Sequence, residues 1–272
     1  MKIILFCASQ ANQKALAHKI HDLFKLEKII VFSGREKDSK VLTLKIFFNK
    51  VINFLGEFLT FFKFRNSWFD MLNYYLKIYP DFPIKPELYV SDINEEMVSK
   101  IIDQSKPELV IISGTNLLKD GLLNKINKYG KAMNLHTGIS PFIKGGPDCT
   151  NWALYLKEFN LIGNTIMWID KGIDSGNIIT TEQTDLTGKE SLTELRIKVM
   201  NHGHELFIKV IDRFNKELEL PNIHQSDLSP RRLFLTKDWG IYKKIVALFN
   251  FYVIYNSKSK FPKIKHKLIS LK

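Results

Sequence analysis

The first half of the chain alternates short, uninterrupted apolar runs with longer segments whose apolar residues recur every three or four positions. Runs without internal alternation are typical of strands that are covered on both faces. Asn12 is of a residue type that caps helices and stands at the start of the first helical pattern. We predict strands over 3–8, 28–32, 108–113 and 132–135, and helices over 12–26, 95–105 and 118–127. This order indicates an α/β fold with a doubly wound, mostly parallel sheet.

Further along, two more strands are predicted over 164–169 and 177–182, and the turn-rich residues 170–176 separate them. A long helical pattern follows over 191–217. Ser191 is suited to cap that helix, and Glu194 stands three residues later, where a capping-box partner is expected. The sequence therefore predicts a helix that begins at a well-defined position.

Two segments depart from the α/β pattern. Residues 41–64 are rich in Phe and Leu and carry a narrow polar stripe at Lys45, Asn49, Asn53 and Glu57. The polar residues recur too often for a membrane span. A buried insertion helix, a homodimer face and a helix lying in a membrane interface all fit this pattern. Residues 241–255 repeat the theme, and a lysine-rich end follows them.

Charge is concentrated at the C-terminal end. The formal net charge is +12, and residues 231–272 contain eleven Lys or Arg and one acid, so the first 230 residues are nearly neutral. Such a segment favours an anionic partner, which would be membrane phosphates, nucleic acid or an acidic substrate. A solvated basic tail fits the count equally well.

The N-terminal apolar run, about six residues long, is shorter than the apolar core of a secretory signal. We interpret it as a buried first strand and expect a cytoplasmic protein, with peripheral membrane contact as an open alternative. The two cysteines, Cys7 and Cys149, form no CxxC pair, and we expect free thiols in a reducing compartment.

Several common signatures do not occur. The chain lacks the glycine-rich dinucleotide and P-loop motifs, the HExxH metal motif and the GxSxG elbow of serine hydrolases. His202 and His204 are two apart on a predicted helix and therefore point in different directions. We interpret them as surface or packing residues and predict no metal site.

One constellation has chemical content. Asn134 and His136 are two apart on a predicted strand and share a face at its carboxyl end, where α/β proteins place ligands. Asp174 lies in the loop between the two later strands. An amide donor, an imidazole and a carboxylate suit the attack of an uncharged amine on an activated carbonyl, because they stabilise an oxyanion and move a proton.

The surrounding sequence resembles the 10-formyltetrahydrofolate-dependent formyltransferases. The residues behind this resemblance are Met133-Asn-Leu-His-Thr-Gly-Ile-Ser-Pro-Phe-Ile-Lys-Gly-Gly-Pro147, Trp152-Ala-Leu, Ile162-Gly-Asn-Thr-Ile-Met-Trp-Ile-Asp170 and Gly172-Ile-Asp-Ser-Gly-Asn-Ile-Ile179. It is clear over 108–190, extends at fold level over 1–35 and 86–215, and covers neither 36–85 nor the end of the chain. We therefore expect a Rossmann-like catalytic domain over 1–220 with an insertion at 36–85, and a basic, apolar extension over 221–272.

The resemblance implies roles for individual residues. Asn134 is expected to donate to the carbonyl oxygen, His136 to act as the acid and base, and Asp174 to be its partner. The formyl donor, 10-formyltetrahydrofolate, is expected to contact Ser113, Gly114, Thr115, Asn116, Leu117, Leu118, Asp170, Gly172 and Ile173. Gly138-Ile-Ser-Pro141 stands where the family usually has Ser-Leu-Leu-Pro, so the loop conformation departs from the pattern there.

The acceptor is approached by elimination within the family. Only 57 residues follow Asn215 and they look helical, which disfavours the β-barrel expected of tRNA-acting members and makes nucleic acid an unfavoured partner. A primary amine on a nucleotide-linked amino sugar is the preferred acceptor, with Pro147, Asp148 and Trp152 as its expected contacts. Methionyl-tRNA or another amine, hydrolysis of the formyl folate, and a vestigial site on a membrane- or nucleic-acid-binding scaffold stay open.

Overall fold

The computed structural model describes residues 1–34, 44–146, 148–257, 261 and 267–271, without the side chains of 44–50 and 53. Seven strands form one sheet in the order β3-β2-β1-β4-β5-β7-β8, and two short strands form a second sheet. The strands are β1 (Ile3–Ala8), β2 (Lys28–Phe32), β3 (Leu88–Val90), β4 (Leu109–Ser113), β5 (Lys131–His136), β6 (Lys144–Gly145), β7 (Gly163–Trp168), β8 (Ile178–Gln183) and β9 (Leu233–Phe234).

The main sheet is parallel from β3 to β5, and β7 and β8 are antiparallel additions at one edge. The α-helices of the described chain are α1 (Ala11–Phe24), α2 (Leu44–Leu59), α3 (Lys63–Ile78), α4 (Glu96–Ser105), α5 (Asp120–Tyr129), α6 (Cys149–Leu156), α7 (Leu192–Asn215) and α8 (Ile241–Phe249). Residues of α1 and α7 form a core on one face of the sheet, and residues of α4 and α5 form a core on the other. The predicted doubly wound, mostly parallel α/β fold is confirmed.

The two predicted helix starts have different outcomes. The capping box of α7 is confirmed, since Ser191 Oγ accepts from Glu194 N at 3.2 Å and Glu194 Oε2 accepts from Ser191 N at 2.7 Å. The prediction that Asn12 caps α1 is wrong. That helix begins at Ala11 with Gln10 at the N-cap, and Asn12 is buried in its first turn. Tertiary packing of the first turn therefore overrides the local capping preference of Asn12.

The segment predicted as a helix over 41–64 contains α2, which begins at Leu44, whereas 41–43 lie outside the described residues. A buried insertion helix is not what the structure shows, because Phe54 and Phe58 are each 59% exposed. The chain then turns through Phe61 and Phe62, both with positive φ, into α3, which the sequence did not predict. Helix α3 packs against α1 and α7.

The described residues after 220 pack on the rest of the chain. Strand β9 pairs with β6 in parallel, and α8 packs against α6 and α2. Near the C-terminal end, Thr181 N donates to Ile269 O at 2.7 Å. A π-helix over Asn250–Tyr255 continues α8, and Phe251 and Tyr255 are completely buried. The division into domains at residue 220 stays a prediction, and this packing joins the two parts closely.

Within the described ranges, no helix combines the length and the apolar character that crossing a membrane requires.

Candidate active site

Strand β5 places Asn134 and His136 on one face near its carboxyl end. The strand lies between its parallel neighbour β4 and its antiparallel neighbour β7, with Asn134 paired to Ile112 on one side and to Met167 on the other. Residues two apart on a strand project to the same side. The predicted common orientation of the amide and the imidazole therefore follows from β5 being a regular strand.

Asp174 comes from the loop between β7 and β8 and joins these two side chains. Its Oδ2 lies 3.3 Å from His136 Nδ1, and its Oδ1 accepts from Asn134 Nδ2 at 3.4 Å. Gly145 N also donates to Oδ2, at 3.1 Å. The structure thus brings together the three residues that sequence reasoning placed in the catalytic group, although Asp174 is 40 positions away from Asn134.

The conformation of the Asp174 loop is fixed by a residue that the sequence did not point to. Asp174 adopts a left-handed backbone conformation with φ 46°. The buried Gln225 donates from Nε2 to Asp174 O and to Gly176 O, both at 2.8 Å. Because a buried carbonyl oxygen without a partner is costly, these two bonds hold the loop in place. Gln225 lies in the predicted extension, so that segment positions the carboxylate.

His136 is enclosed on its other side. Its Nε2 lies 3.3 Å from Ile143 O and 3.4 Å from Cys149 Sγ. A Cβ on Gly138 would approach Nε2 to 2.7 Å, so a glycine is required there. With Nε2 donating to a carbonyl oxygen, Nδ1 of a neutral ring would face the Asp174 carboxylate without a proton between them. In the other neutral tautomer, Nδ1 donates to Asp174 and Nε2 has no proton for Ile143 O.

Cys149 remains a thiol in this setting. Burial is the main cause that raises its pKa well above the ordinary value, and the nearby Asp148 and Asp174 carboxylates add to the effect. Cys7, in the core of β1, also has its pKa raised by burial. Both cysteines are free. The Cys149 side chain is therefore a neutral packing neighbour of His136 and lacks the thiolate character of a nucleophile.

The three residues open onto a cavity of about 380 Å³ at the carboxyl end of the sheet. All positions expected to contact the formyl donor line this same cavity, namely Ser113, Gly114, Thr115, Asn116, Leu117, Leu118, Asp170, Gly172 and Ile173. The strand-end loop after β4 and the loop before Asp174 form its walls. Two stretches that are far apart in the sequence thus share one pocket with the candidate catalytic group.

The loop after β4 is braced from behind by Asp92. Its Oδ1 accepts from Asn116 Nδ2 at 2.8 Å and from Asn94 N at 2.9 Å. These hydrogen bonds lower the pKa of Asp92 to about 2, and the bond from Asn94 N has the largest effect. Asn116 Oδ1 in turn accepts from Ile93 N at 3.0 Å. The side chain of Asn116 is therefore used to brace the pocket wall from behind.

Sequence reasoning missed part of the cavity lining. Trp68 enters from α3, Met200 from α7, and Gln10, Asn12 and Gln13 from the start of α1. Trp68 belongs to the segment outside the family resemblance, so no motif marked it. The described residues that line this cavity include Asp170 and Asp174 but no Lys or Arg. The cavity is therefore suited to neutral or amine-bearing groups and not to phosphate.

The three positions expected to contact the acceptor are placed elsewhere or not described. Pro147 lies outside the described residues. Asp148 accepts from Thr150 N at the start of α6 and pairs with Arg196. Trp152 is 1% exposed and stacks on Phe234, with ring centroids 4.5 Å apart. Neither described residue lines the cavity, so their assignment to the acceptor stays a prediction without geometric support.

The two histidines of α7 have structural roles. His202 Nδ1 lies 2.9 Å from Thr184 Oγ1, and its Nε2 lies 3.2 Å from Glu182 Oε2. His204 is buried, and burial lowers its pKa to about 3. Among the residues whose positions are described, no group of three or more His, Cys, Asp or Glu is arranged to hold a metal ion.

Comparison with known proteins finds related sequences over the part of the chain that contains the candidate catalytic residues. A sequence profile described as formyl transferase matches residues 77–211, which contain Asn134, His136 and Asp174. The chain belongs to this family. A methionyl-tRNA formyltransferase from Clostridium acetobutylicum is 28% identical over 145 residues, which are 53% of this chain and 46% of that protein. The match thus spans less than half of this relative.

Solved formyltransferases share the fold. A sugar N-formyltransferase from Shewanella aligns with a TM-score of 0.56 at 11% identity, over 92% of this chain and 88% of that one. An N-formyltransferase from Helicobacter canadensis, solved with folinic acid and dTDP-3-aminofucose, aligns with a TM-score of 0.54 at 16% identity, over 97% and 85% of the two chains. The predicted membership of the formyltransferase family is confirmed, and these structures support the fold beyond residues 77–211.

Proposed function

We propose that this protein transfers a formyl group from 10-formyltetrahydrofolate to a primary amine, and that the preferred acceptor is an amino sugar on a nucleotide. One observation supports the proposal above all others. The candidate catalytic residues Asn134, His136 and Asp174 line the same cavity as the nine positions expected to contact the folate. We place the reaction in the cytoplasm.

The cavity fits a flat heteroaromatic ring. Its volume of about 380 Å³ lies within the range of pockets that hold small ligands. Apolar side chains of Ile112, Leu118 and Ile173 offer faces for stacking, and the backbone of Gly114 and Thr115 offers hydrogen-bonding groups. Gly114 has φ 76°, which permits a close backbone turn beside the ring. The protein supplies shape and polar edges, and the folate supplies the activated formyl carbon.

Asn134 and the His136–Asp174 pair divide the chemistry. As the amine nitrogen bonds to the formyl carbon, Asn134 Nδ2 donates to the developing oxyanion, a contact worth roughly 10²–10³ in rate in other enzymes. The His136–Asp174 pair accepts the proton that the amine loses. It returns a proton to the folate nitrogen as the bond from that nitrogen to the formyl carbon breaks. General acid–base catalysis of this kind contributes about 10²–10⁴.

The charge of the cavity supports a neutral acceptor group at the reacting end. No described Lys or Arg lines it, so a phosphate would have no cation to pair with beside His136. A sugar ring with an amine is neutral when the amine is ready to react. Trp68 also lines the cavity, and its indole ring suits the apolar face of a sugar ring.

Methionyl-tRNA is the second candidate acceptor. It is favoured by the relative from Clostridium acetobutylicum, a methionyl-tRNA formyltransferase, and by the net charge of +12. The esterified methionine would also bring an uncharged amine to the cavity. Hydrolysis of the formyl folate, with water in place of the amine, uses the same three residues and is the third outcome that an assay must separate.

The test is release of tetrahydrofolate from 10-formyltetrahydrofolate, followed by absorbance, with nucleotide-linked amino sugars, methionyl-tRNA or no acceptor. Release that depends on an amino sugar, with a formylated product seen by mass spectrometry, supports the proposal. Dependence on methionyl-tRNA would assign the second candidate, and release without any acceptor would assign the hydrolase. If no acceptor and no condition gives release or folate binding, the site is vestigial and the proposal is wrong.

A further inference from the structure

Helix α2 turns its apolar side outward, in contrast to an ordinary surface helix. Its described outward side chains form an apolar arc that includes Phe54, Leu55 and Phe58, each at least 45% exposed. The side that faces the protein holds Gly56 and Glu57, and the buried Thr60 follows the helix directly. A surface helix of a monomeric protein normally turns its apolar side inward. The outward side of α2 is therefore built to meet an apolar environment.

Helix α8 repeats this arrangement beside it. Tyr242, Ile245 and Phe249 are exposed, at 71%, 43% and 57%, whereas Lys244 points inward and is buried. Lys244 Nζ lies 2.6 Å from Glu57 Oε1, so these two charges neutralise each other where the helices meet. A Cβ on Gly56 would come within 2.9 Å of Ile241, which shows how closely the helices pack.

We infer that the apolar face formed by Phe54, Leu55, Phe58, Tyr242, Ile245 and Phe249 binds the surface of a membrane containing anionic lipid. This inference stands independently of formyl transfer. Contiguous exposed apolar surface of this kind marks an interaction site, and Tyr and Phe are suited to the boundary between headgroups and acyl chains. With 16 residues, α2 is about 24 Å long, so it would lie in the interface and not cross it.

Charge selects a lipid surface over a second copy of the chain. The exposed cations Lys63 and Arg65 follow α2 directly, whereas the exposed Lys237 before α8 is offset by the adjacent exposed Asp238. Glu57 is the sole acid in the sequences of these two helices, and Lys244 already pairs with it. Two copies meeting on this face would bring like charges together, whereas anionic headgroups would complement them.

The experiment is flotation of the full-length protein with vesicles of phosphatidylcholine alone or of equimolar phosphatidylcholine and phosphatidylglycerol. We expect binding to the anionic vesicles that weakens, without vanishing, as salt is raised. The double variant Phe54→Glu/Phe58→Glu should lower the partition coefficient by about 100-fold or more. Its circular dichroism and tetrahydrofolate release should match those of the wild type.

A matched control is Leu23→Glu/Met97→Glu, which changes the net charge by the same amount at two exposed positions outside the face. It should bind anionic vesicles nearly as well as the wild type. Absence of wild-type binding at low salt would overturn the inference, as would an equal loss in the control. A wild-type dimer in sedimentation velocity that the face variant converts to monomer, without vesicle binding, would assign the face to a second copy instead.

Discussion

His136 Nδ1 and Asp174 Oδ2 lie 3.3 Å apart at the carboxyl end of the central sheet. The two residues come from different elements, and Asp174 reaches His136 from a loop that Gln225 holds in place. A contact built in this way links the proposed catalysis to the packing of the C-terminal segment. It also allows the proton-transfer role of the carboxylate to be separated from its structural role.

Replacement of Asp174 by Asn keeps the size of the side chain but removes its charge. We expect Asp174→Asn to lower the rate of formyl transfer by about 10²–10⁴, because His136 then loses the carboxylate that shares the transferred proton. The affinity for the folate should change little. Single-turnover rates and folate binding by fluorescence measure the two quantities separately. A variant with unchanged turnover would contradict the assigned role.

Gln225 is a positioning residue and should affect catalysis through Asp174. In Gln225→Ala two carbonyl oxygens lose their donor, so we expect the free energy of unfolding to fall by about 1–3 kcal/mol. The kcat should fall at least about tenfold, because a misplaced catalytic group loses rate steeply. Asn222→Ala is the control, since Asn222 donates no bond to Asp174 and is exposed. Equal kcat for the two variants would show that the Asp174 loop keeps its conformation without Gln225.

Trp68 should contribute to acceptor recognition. Trp68→Ala is expected to raise the KM for the acceptor by about 2- to 13-fold and to leave the KM for the folate nearly unchanged, because an aromatic stacking face is worth roughly 0.5–1.5 kcal/mol. Phe69→Ala alters the next residue, which is 49% exposed and does not line the cavity. Steady-state kinetics with each substrate varied in turn make the comparison. A raised KM for the folate alone would show that Trp68 contacts the formyl donor and not the acceptor.

His204 predicts a dependence of stability on pH. Burial lowers its pKa to about 3 in the folded protein, against about 6.5 in an unfolded chain. The unfolded state therefore binds more protons between these values, so stability is present above about pH 6.5 and is lost as the pH falls towards 3. Between pH 7 and 5.5 this group should lower the free energy of unfolding by about 1 kcal/mol.

The replacement His204→Leu removes the titrating ring and should flatten this part of the profile. Urea unfolding of both proteins at pH 7 and pH 5.5 measures the difference. His202→Asn serves as the comparison, because His202 is partly exposed and hydrogen-bonded. An unchanged pH dependence in His204→Leu would show that other groups dominate in this range.

The regular part of the fold was readable from the sequence because each strand and helix there follows one local pattern. The apolar runs of β1, β2 and β4 must be covered on both faces, and the capping box of α7 is a local signal between Ser191 and Glu194. Helix α3 was missed because its apolar residues merge with those of the preceding segment. The turn at Phe61 and Phe62 contains no glycine, so the sequence gives no signal of it.

For the site, the sequence by itself predicted Asn134, His136 and Asp174 as the candidate catalytic group and determined the common face of the first two, since residues two apart on a strand must share a side. Only the tertiary structure decided which distant residues complete the group. Gln225 comes from a short turn before β9, Trp68 from α3 and Cys149 from α6, and no local pattern encodes such contacts. Long-range packing also decided that the apolar sides of α2 and α8 face outward. Periodicity shows that a helix has an apolar side, whereas its neighbours determine which side is covered.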